Sequence, residues 1–330
     1  MALRINPERI RPGYILRPRG KNNKALYYLR SFARNFCSNR YLDRRKEQLL
    51  TGWDRRQDAS QILERVNYYN KLEDLDSDSR LPLCVSDIRN TGSVYNRDAF
   101  EVLRFFDGSL RLQTVFGDNT SVPEIPSICK SRPIFGDNAK AVLLNLDKVR
   151  HFTFLRDKVA FEEKRDMAIF RGACLQQNRI AFMERFHGNP LVDAADTQFG
   201  NTRPEWHAPL ITLYDHLKYK FVLCLEGYDV ASNLKWVMSS RSVAVMPRPR
   251  YETWFMEGRL VAGVHYIEIA SDFSDLEEKI RYFSAHADEA KTISNNANKW
   301  CAQFLDKDRE LLIALLVMQK YFRVTGQQGW

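Results

Sequence analysis

The sequence is poor in the features that mark whole classes of protein. Its six cysteines, at 37, 84, 129, 174, 224 and 301, stand far apart with no C-x-x-C pair. That spacing argues against a disulfide framework or a zinc knuckle and fits a reducing compartment. His151, His187, His207, His216 and His286 show no metal-ligand spacing. No apolar run approaches the ~20 residues that span a bilayer. The longest, residues 311–318, reads as the middle of an amphipathic helix. Residues 1–7 lack the apolar core of a secretion signal, so a cytoplasmic address is expected. Internal repeats and low-complexity tracts are absent. What remains is an ordinary globular composition over 330 residues, 44% hydrophobic and 28% charged, long enough for two domains with a sizeable core.

Acidic residues are scarce at the start of the chain. The formal net charge is +9, and residues 1–50 hold 13 Lys or Arg against 3 Asp or Glu, a surplus of 13 − 3 = +10. The whole excess is therefore N-terminal. Such a segment suits nucleic acid, an anionic membrane surface or an acidic acceptor, or is simply a solvated basic helix. Leu26, Leu29, Phe32, Ala33 and Phe36 recur at helical intervals, with Arg30 and Arg34 between them, so a helix is expected over 22–50 and a second over 55–72. The D-x-D spacing of Asp74-Leu75-Asp76 lies in an acidic linker before Pro82, not after a strand, and no metal site is expected there.

Residues 110–116 alternate as a strand and end at Gly117-Asp118-Asn119. Asp118 is thus expected at the carboxyl end of a strand, where an α/β domain keeps its chemistry; a turn or cap residue is the plainer role. Pro123, Pro126 and Pro133 predict an irregular connection, residues 134–136 a short strand, and 141–166 a helical bridge. Strands at 167–170, 191–195, 219–225, 242–246 and 264–269 then alternate with helical patterns, ending in helices at 274–288, 290–304 and 307–323. That alternation predicts an α/β fold with a mostly parallel sheet.

The stretch 219–236 organises the rest. A buried strand runs to Gly227, and a helix follows from Ser232-Asn233-Leu234-Lys235. Such a βα junction either offers free N–H groups to a phosphate-bearing ligand or is a turn with no ligand. Arg171-Gly172 and Arg179 occupy the preceding junction. Cations on two βα turns suit a diphosphate, because Arg binds phosphate oxygens bidentately and Lys supplies a point charge. Glu252 or Glu257 is placed to accept from ribose hydroxyls, and Trp254 to pack on a base or sugar. His265-Tyr266 is read as a core pair before a site. Arg248 and Arg250 are either cleft-border or plain surface residues.

Phe170-Arg171-Gly172, Lys218-Tyr219-Lys220 with Gly227 through Lys235, and Val264-His265-Tyr266 followed by Asp272-Phe273-Ser274-Asp275-Leu276, in this order and spacing, resemble glycosyltransferase family 90 over roughly residues 100–305. The Asn233-Leu234-Lys235-Trp236 variant makes the chain most similar to the family's bacterial, lipopolysaccharide-modifying branch. The resemblance implies a GT-B architecture of two Rossmann-like domains facing a cleft. The expected boundaries are 1–160 for the acceptor side, 161–306 for the nucleotide-sugar side, and 307–330 for a helix crossing back. It implies an inverting, metal-independent transfer of a hexose, glucose or galactose, from a UDP-sugar to a hydroxyl of a lipopolysaccharide or lipooligosaccharide core, with no cofactor. Asp118 then maps to the catalytic base. Arg171, Gly172, Arg179, Gly227, Ser232, Asn233, Lys235, Glu252, Trp254 and Glu257 form the donor set. Animal members carry arginine where this chain has Asn233, which shifts the phosphate grip to Arg171, Arg179, Lys235 and backbone amides. The expected partners are the donor, a lipid-linked oligosaccharide and the anionic inner face of a membrane, not nucleic acid. A protein acceptor, a non-catalytic scaffold of the same shape and a nucleic-acid-binding α/β protein are the rival readings.

Overall fold

The computed structural model describes residues 20–73, 81–198, 200 and 203–329, so the D-x-D at 74–76 lies outside the described residues. The chain divides into two compact units. One, here the helical unit, comprises residues 22–150, 250–258 and 303–329; the other, the sheet unit, comprises 20–21, 151–249 and 259–302.

The helical unit opens with α1 (Lys24–Ala33), capped by Asn23 accepting from Leu26 N at 3.1 Å. The single helix expected over 22–50 is broken. A 3-10 turn at Arg34–Phe36 and an extended Cys37 intervene, and Ser38 then caps α2 (Asn39–Leu50) by accepting from Tyr41 N. A serine hydroxyl that satisfies an open N–H favours a fresh helix start over continuation. Then come α3 (Ala59–Tyr69), β1 (Leu83–Cys84), α4 (Val94–Leu103), β2 (Arg111–Leu112), β3 (Thr114–Val115), β4 (Ser127–Cys129), β5 (Ser131–Pro133) and β6 (Ala141–Leu143). The strand expected over 110–116 serves two sheets. β2 pairs antiparallel with β1, while β3 joins a parallel sheet in the order β3-β4-β6. The strand expected at 134–136 lies earlier, as β5. The helical bridge expected over 141–166 is instead β6, one short helix, α5 (Lys148–His151), a 3-10 turn at Phe161–Glu163 and the start of a strand at Arg165. Val142, Leu143 and Leu144 are all fully buried, as a strand covered on both faces requires.

The sheet unit contains β7 (Arg165–Gly172), α6 (Gln177–Phe186), β8 (Val192–Asp196), α7 (Leu213–His216), β9 (Tyr219–Leu223), α8 (Leu234–Met238) and β10 (Val243–Met246). The chain then visits the helical unit as β11 (Tyr251–Thr253), antiparallel to β5, before returning as β12 (Ile267–Glu268), α9 (Leu276–Ala285) and α10 (Ala287–Ala302). Only these two residues of the strand expected at 264–269 join the ladder. The sheet is parallel throughout, in the order β12-β10-β9-β7-β8. Phe182 is central to its core, with ring centroids 5.2 Å from Phe170, 5.2 Å from Phe186 and 5.3 Å from Phe273. The last helix, α11 (Lys307–Val324), packs on α3 in the helical unit. There Glu310 takes both terminal nitrogens of Arg65 at 2.6 and 2.8 Å. No helix among the described residues is long and apolar enough to cross a membrane.

Candidate active site

Numbered by chain order within their own sheet, the five parallel strands run 2-1-3-4-5 in space. The order reverses between β7 and β9. Loops leaving the carboxyl ends of the two strands at such a switch point diverge to opposite faces and open a crevice. The turns concerned are those after Gly172 and after Leu223. Arg179, at the start of α6, ties them together: Nη1 donates to Ala173 O at 3.1 Å, Nη2 to Leu225 O at 2.8 Å and Nε to Glu226 O at 3.0 Å. Its burial pushes its pKa down from the usual arginine value. Gly227 makes room for it, and Gly172 makes room for the Phe170 ring beside it. A Cβ on Gly227 would stand 3.2 Å from Arg179 Nη2; one on Gly172 would meet the Phe170 ring at 3.0 Å and Nη1 at 3.6 Å. Arg179 is thus committed to backbone carbonyls and fixes the two turns against each other.

Arg171, the last side chain of β7 before Gly172, donates to Asp193 Oδ1 at 2.6 Å and Asp193 O at 2.7 Å. Tyr219 OH holds the other Asp193 oxygen. Burial would raise the Asp193 pKa, but Tyr219 and Arg171 overcome it and hold the carboxyl below the usual range. The buried Nε of Arg171 has no hydrogen-bond partner among the described residues. Beyond β9, Ser232 is exposed, and Asn233 turns its amide back to donate to Leu223 O at 2.9 Å. Lys235 is fully buried on α8, close enough to Cys224 and Cys301 for its charge to act on both thiols. Strand order brings the two turns together, and Arg179, Asn233 and Lys235 serve the interior of the unit.

The helical unit has a second cluster at the carboxyl ends of its own parallel strands. Asp118 follows β3 through Gly117, whose φ of 118° only glycine adopts readily. Lys130 follows β4, and Asp147 follows β6 with φ 56°, an unusual value for a residue with a side chain. Lys130, 1% exposed, pairs with Asp118. Arg150 bridges Asp118 at 3.3 Å and Asp147 at 2.7 Å. Burial acts to raise the Asp118 pKa, but Lys130 and Arg150 outweigh it and hold the carboxyl below its usual range; for Asp147 burial wins and the pKa rises. Asp118 is therefore ionised at neutral pH and only partly covered. Asp118 was legible in the sequence as a residue ending a strand. Lys130, Asp147 and Arg150 were not, because only strand adjacency collects them.

A profile of Glycosyl transferase family 90 matches residues 135–325. O-glucosyltransferase LpsA of Dichelobacter nodosus is 43% identical over 268 residues, covering 81% of this chain and 84% of its own length. The chain belongs to glycosyltransferase family 90. Protein O-glucosyltransferase 3 of Homo sapiens is 27% identical over 48% of the chain, and protein O-glucosyltransferase 2 of Danio rerio 28% over 49%. The chain spans about a third of the length of these two, 32% and 33%.

In this transferase, three residues expected beside the donor sit in the core of the helical unit. Glu252 is 1% exposed, accepts from Arg132 Nε at 2.8 Å and is held by Tyr68 OH. Trp254, also 1% exposed, stacks on Tyr69 with centroids 3.8 Å apart and donates from Nε1 to Glu310 Oε2 at 2.6 Å. Glu257 accepts from Thr253 N at 2.7 Å and closes a tight turn. β11 pairs with β5, so these side chains pack among residues of the helical unit. Tyr266 is buried and donates to Glu268 at 2.6 Å; His265 Nδ1 accepts from Val261 N at 3.0 Å, and its ring lies against Trp300. Tyr266 is a core residue, whereas His265 is half-buried. No group of three His, Cys, Asp or Glu side chains suited to a metal is gathered among the described residues.

Proposed function

We propose that this transferase moves a hexose from a UDP-sugar to a hydroxyl of a lipopolysaccharide or lipooligosaccharide core, inverting the anomeric carbon and using neither metal nor cofactor. Glucose is the first candidate, since the relatives are named O-glucosyltransferases; galactose is the second. The units take the GT-B roles, with the sheet unit on the donor side and the helical unit on the acceptor side.

In this reading Asp118 takes the proton of the acceptor hydroxyl as that oxygen bonds to the anomeric carbon. The bond from that carbon to the diphosphate oxygen breaks on the opposite face, and UDP leaves with the electron pair. The transition state carries oxocarbenium character. Charge on the departing diphosphate is met by backbone N–H groups of the turns at Gly172, Gly227 and Ser232-Asn233, and by the positive charges of Arg171 and Lys235 behind them. Arg179 positions both turns. Closure of the donor site excludes water and limits donor hydrolysis. The acceptor reading draws on the basic first 50 residues, which suit a phosphorylated, lipid-linked substrate. A protein acceptor is the second reading, prompted by the names of the animal relatives.

The observation that carries the proposal is the Asp118 carboxylate, ionised and partly exposed at the end of a parallel strand. Asp118→Asn is expected to keep UDP affinity and lose transfer at least ~100-fold. Near-normal turnover would remove Asp118 from the role. A screen of UDP-glucose, UDP-galactose, UDP-xylose and GDP-sugars, with the product anomer assigned by NMR, tests donor and stereochemistry. Offering core oligosaccharide and folded protein side by side separates the two acceptor readings.

A further inference from the structure

Helix α1 docks the wrong way round for an amphipathic helix. Its inward residues are Tyr27 and Ser31, continued by Arg34 in the turn that follows, at spacings of four and three. Tyr27 OH donates to Asp98 at 3.0 Å, Ser31 Oγ donates to Asn90 at 2.6 Å, and Arg34 pairs with Glu101. A polar seam therefore attaches the helix to α4 and the loop before it. The apolar residues face the other way. Leu29 is 65% exposed, Phe32 56% and Phe36 74%, with Leu26 beside them and Tyr28 and Tyr41 also exposed. Soluble proteins rarely leave such a stripe uncovered.

Charge decides what covers it. Residues 22–42 contain Lys24, Arg30, Arg34 and Arg40 and no Asp or Glu. With Arg34 turned to Glu101, the cations Lys24, Arg30 and Arg40 are exposed on the same two helices as the stripe. A row of exposed Leu and Phe with tyrosines beside it, on helices whose exposed cations Lys24, Arg30, Arg40 and Arg44 outnumber the exposed Asp43 and Glu47, matches the interfacial zone of an anionic bilayer: apolar side chains enter the acyl boundary and cations meet the headgroups. We infer that α1 and the turn to α2 form a membrane-docking edge that seats the enzyme on anionic lipid. The inference deepens the reading of a lipid-linked acceptor, but lipid binding and sugar transfer are read separately.

The test is co-sedimentation of the full chain with vesicles of phosphatidylcholine alone and of phosphatidylcholine mixed with phosphatidylglycerol. The wild type is expected on the mixed vesicles, with binding to neutral ones weaker by roughly tenfold or more. Leu29→Ser/Phe32→Ser/Phe36→Ser should reduce binding at least ~30-fold. Lys24→Gln/Arg30→Gln/Arg40→Gln should bring binding on mixed vesicles down to the neutral level. Unfolding temperature and donor hydrolysis in solution should stay at wild-type values in both variants, which separates this surface from the active site. Absence of wild-type binding to either vesicle, or unchanged binding after the apolar substitutions, would overturn the inference. So would self-association or retention on RNA that the apolar variant abolishes while vesicle binding is missing.

Discussion

Removing the Arg179 side chain should loosen two turns at once. Three N–H donors at 2.8–3.1 Å hold the carbonyls of residues 173, 225 and 226. Hydrogen bonds from a charged donor contribute ~1.5–3 kcal/mol each, so the gross interaction is about 5–9 kcal/mol. Two effects oppose it: the guanidinium no longer has to be desolvated, and water reaches part of the exposed carbonyl surface. A net loss of ~3 kcal/mol is expected for Arg179→Ala, a fall of about 6–12 °C in Tm for a unit of this size. Arg179→Lys should be nearly as costly, because one ammonium cannot span three carbonyls on two turns. Gly227→Ala places a Cβ 3.2 Å from Nη2 and should cost ~1–3 kcal/mol in the wild type. In the Arg179→Ala background most of that cost should vanish, a coupling that a double-mutant cycle measures. Calorimetric unfolding gives the stabilities, and titration with UDP should show affinity falling tenfold or more in Arg179→Ala. Two results would refute the reasoning: Gly227→Ala costing the same in both backgrounds, or Arg179→Lys leaving Tm unchanged.

Two further outcomes follow from the same geometry. Lys130→Met leaves the Asp118 carboxyl half-buried with Arg150 as its opposing charge, so its pKa should rise; because the base must be ionised, the acid limb of kcat/KM moves to higher pH, and a limb that stays in place would separate Lys130 from the base. Trp254→Phe removes the donor to Glu310 and should cost ~1.5–3 kcal/mol in thermal unfolding with UDP affinity intact; lost UDP affinity at unchanged Tm would put Trp254 back beside the donor.

Local pattern was enough to determine the α/β class, the junction at 219–236 and the position of Asp118 after a strand. Each rests on a run of a few residues: an apolar stretch, a glycine turn, a change of period. The same local reading failed over 141–166, where a short buried strand flanked by charges is indistinguishable from part of a helix until its neighbours are known. Nor could it show that Glu252, Trp254 and Glu257 pack in the core of the helical unit, because their proximity in sequence to the sheet strands says nothing about the partner that β11 finds in β5. Strand order was decided by tertiary structure alone. It makes the turns after β7 and β9 neighbours, lets Arg179 clasp both, and brings Lys130 and Arg150 to Asp118. Side-chain direction and strand adjacency come from contacts made far along the chain, and no window of residues contains them.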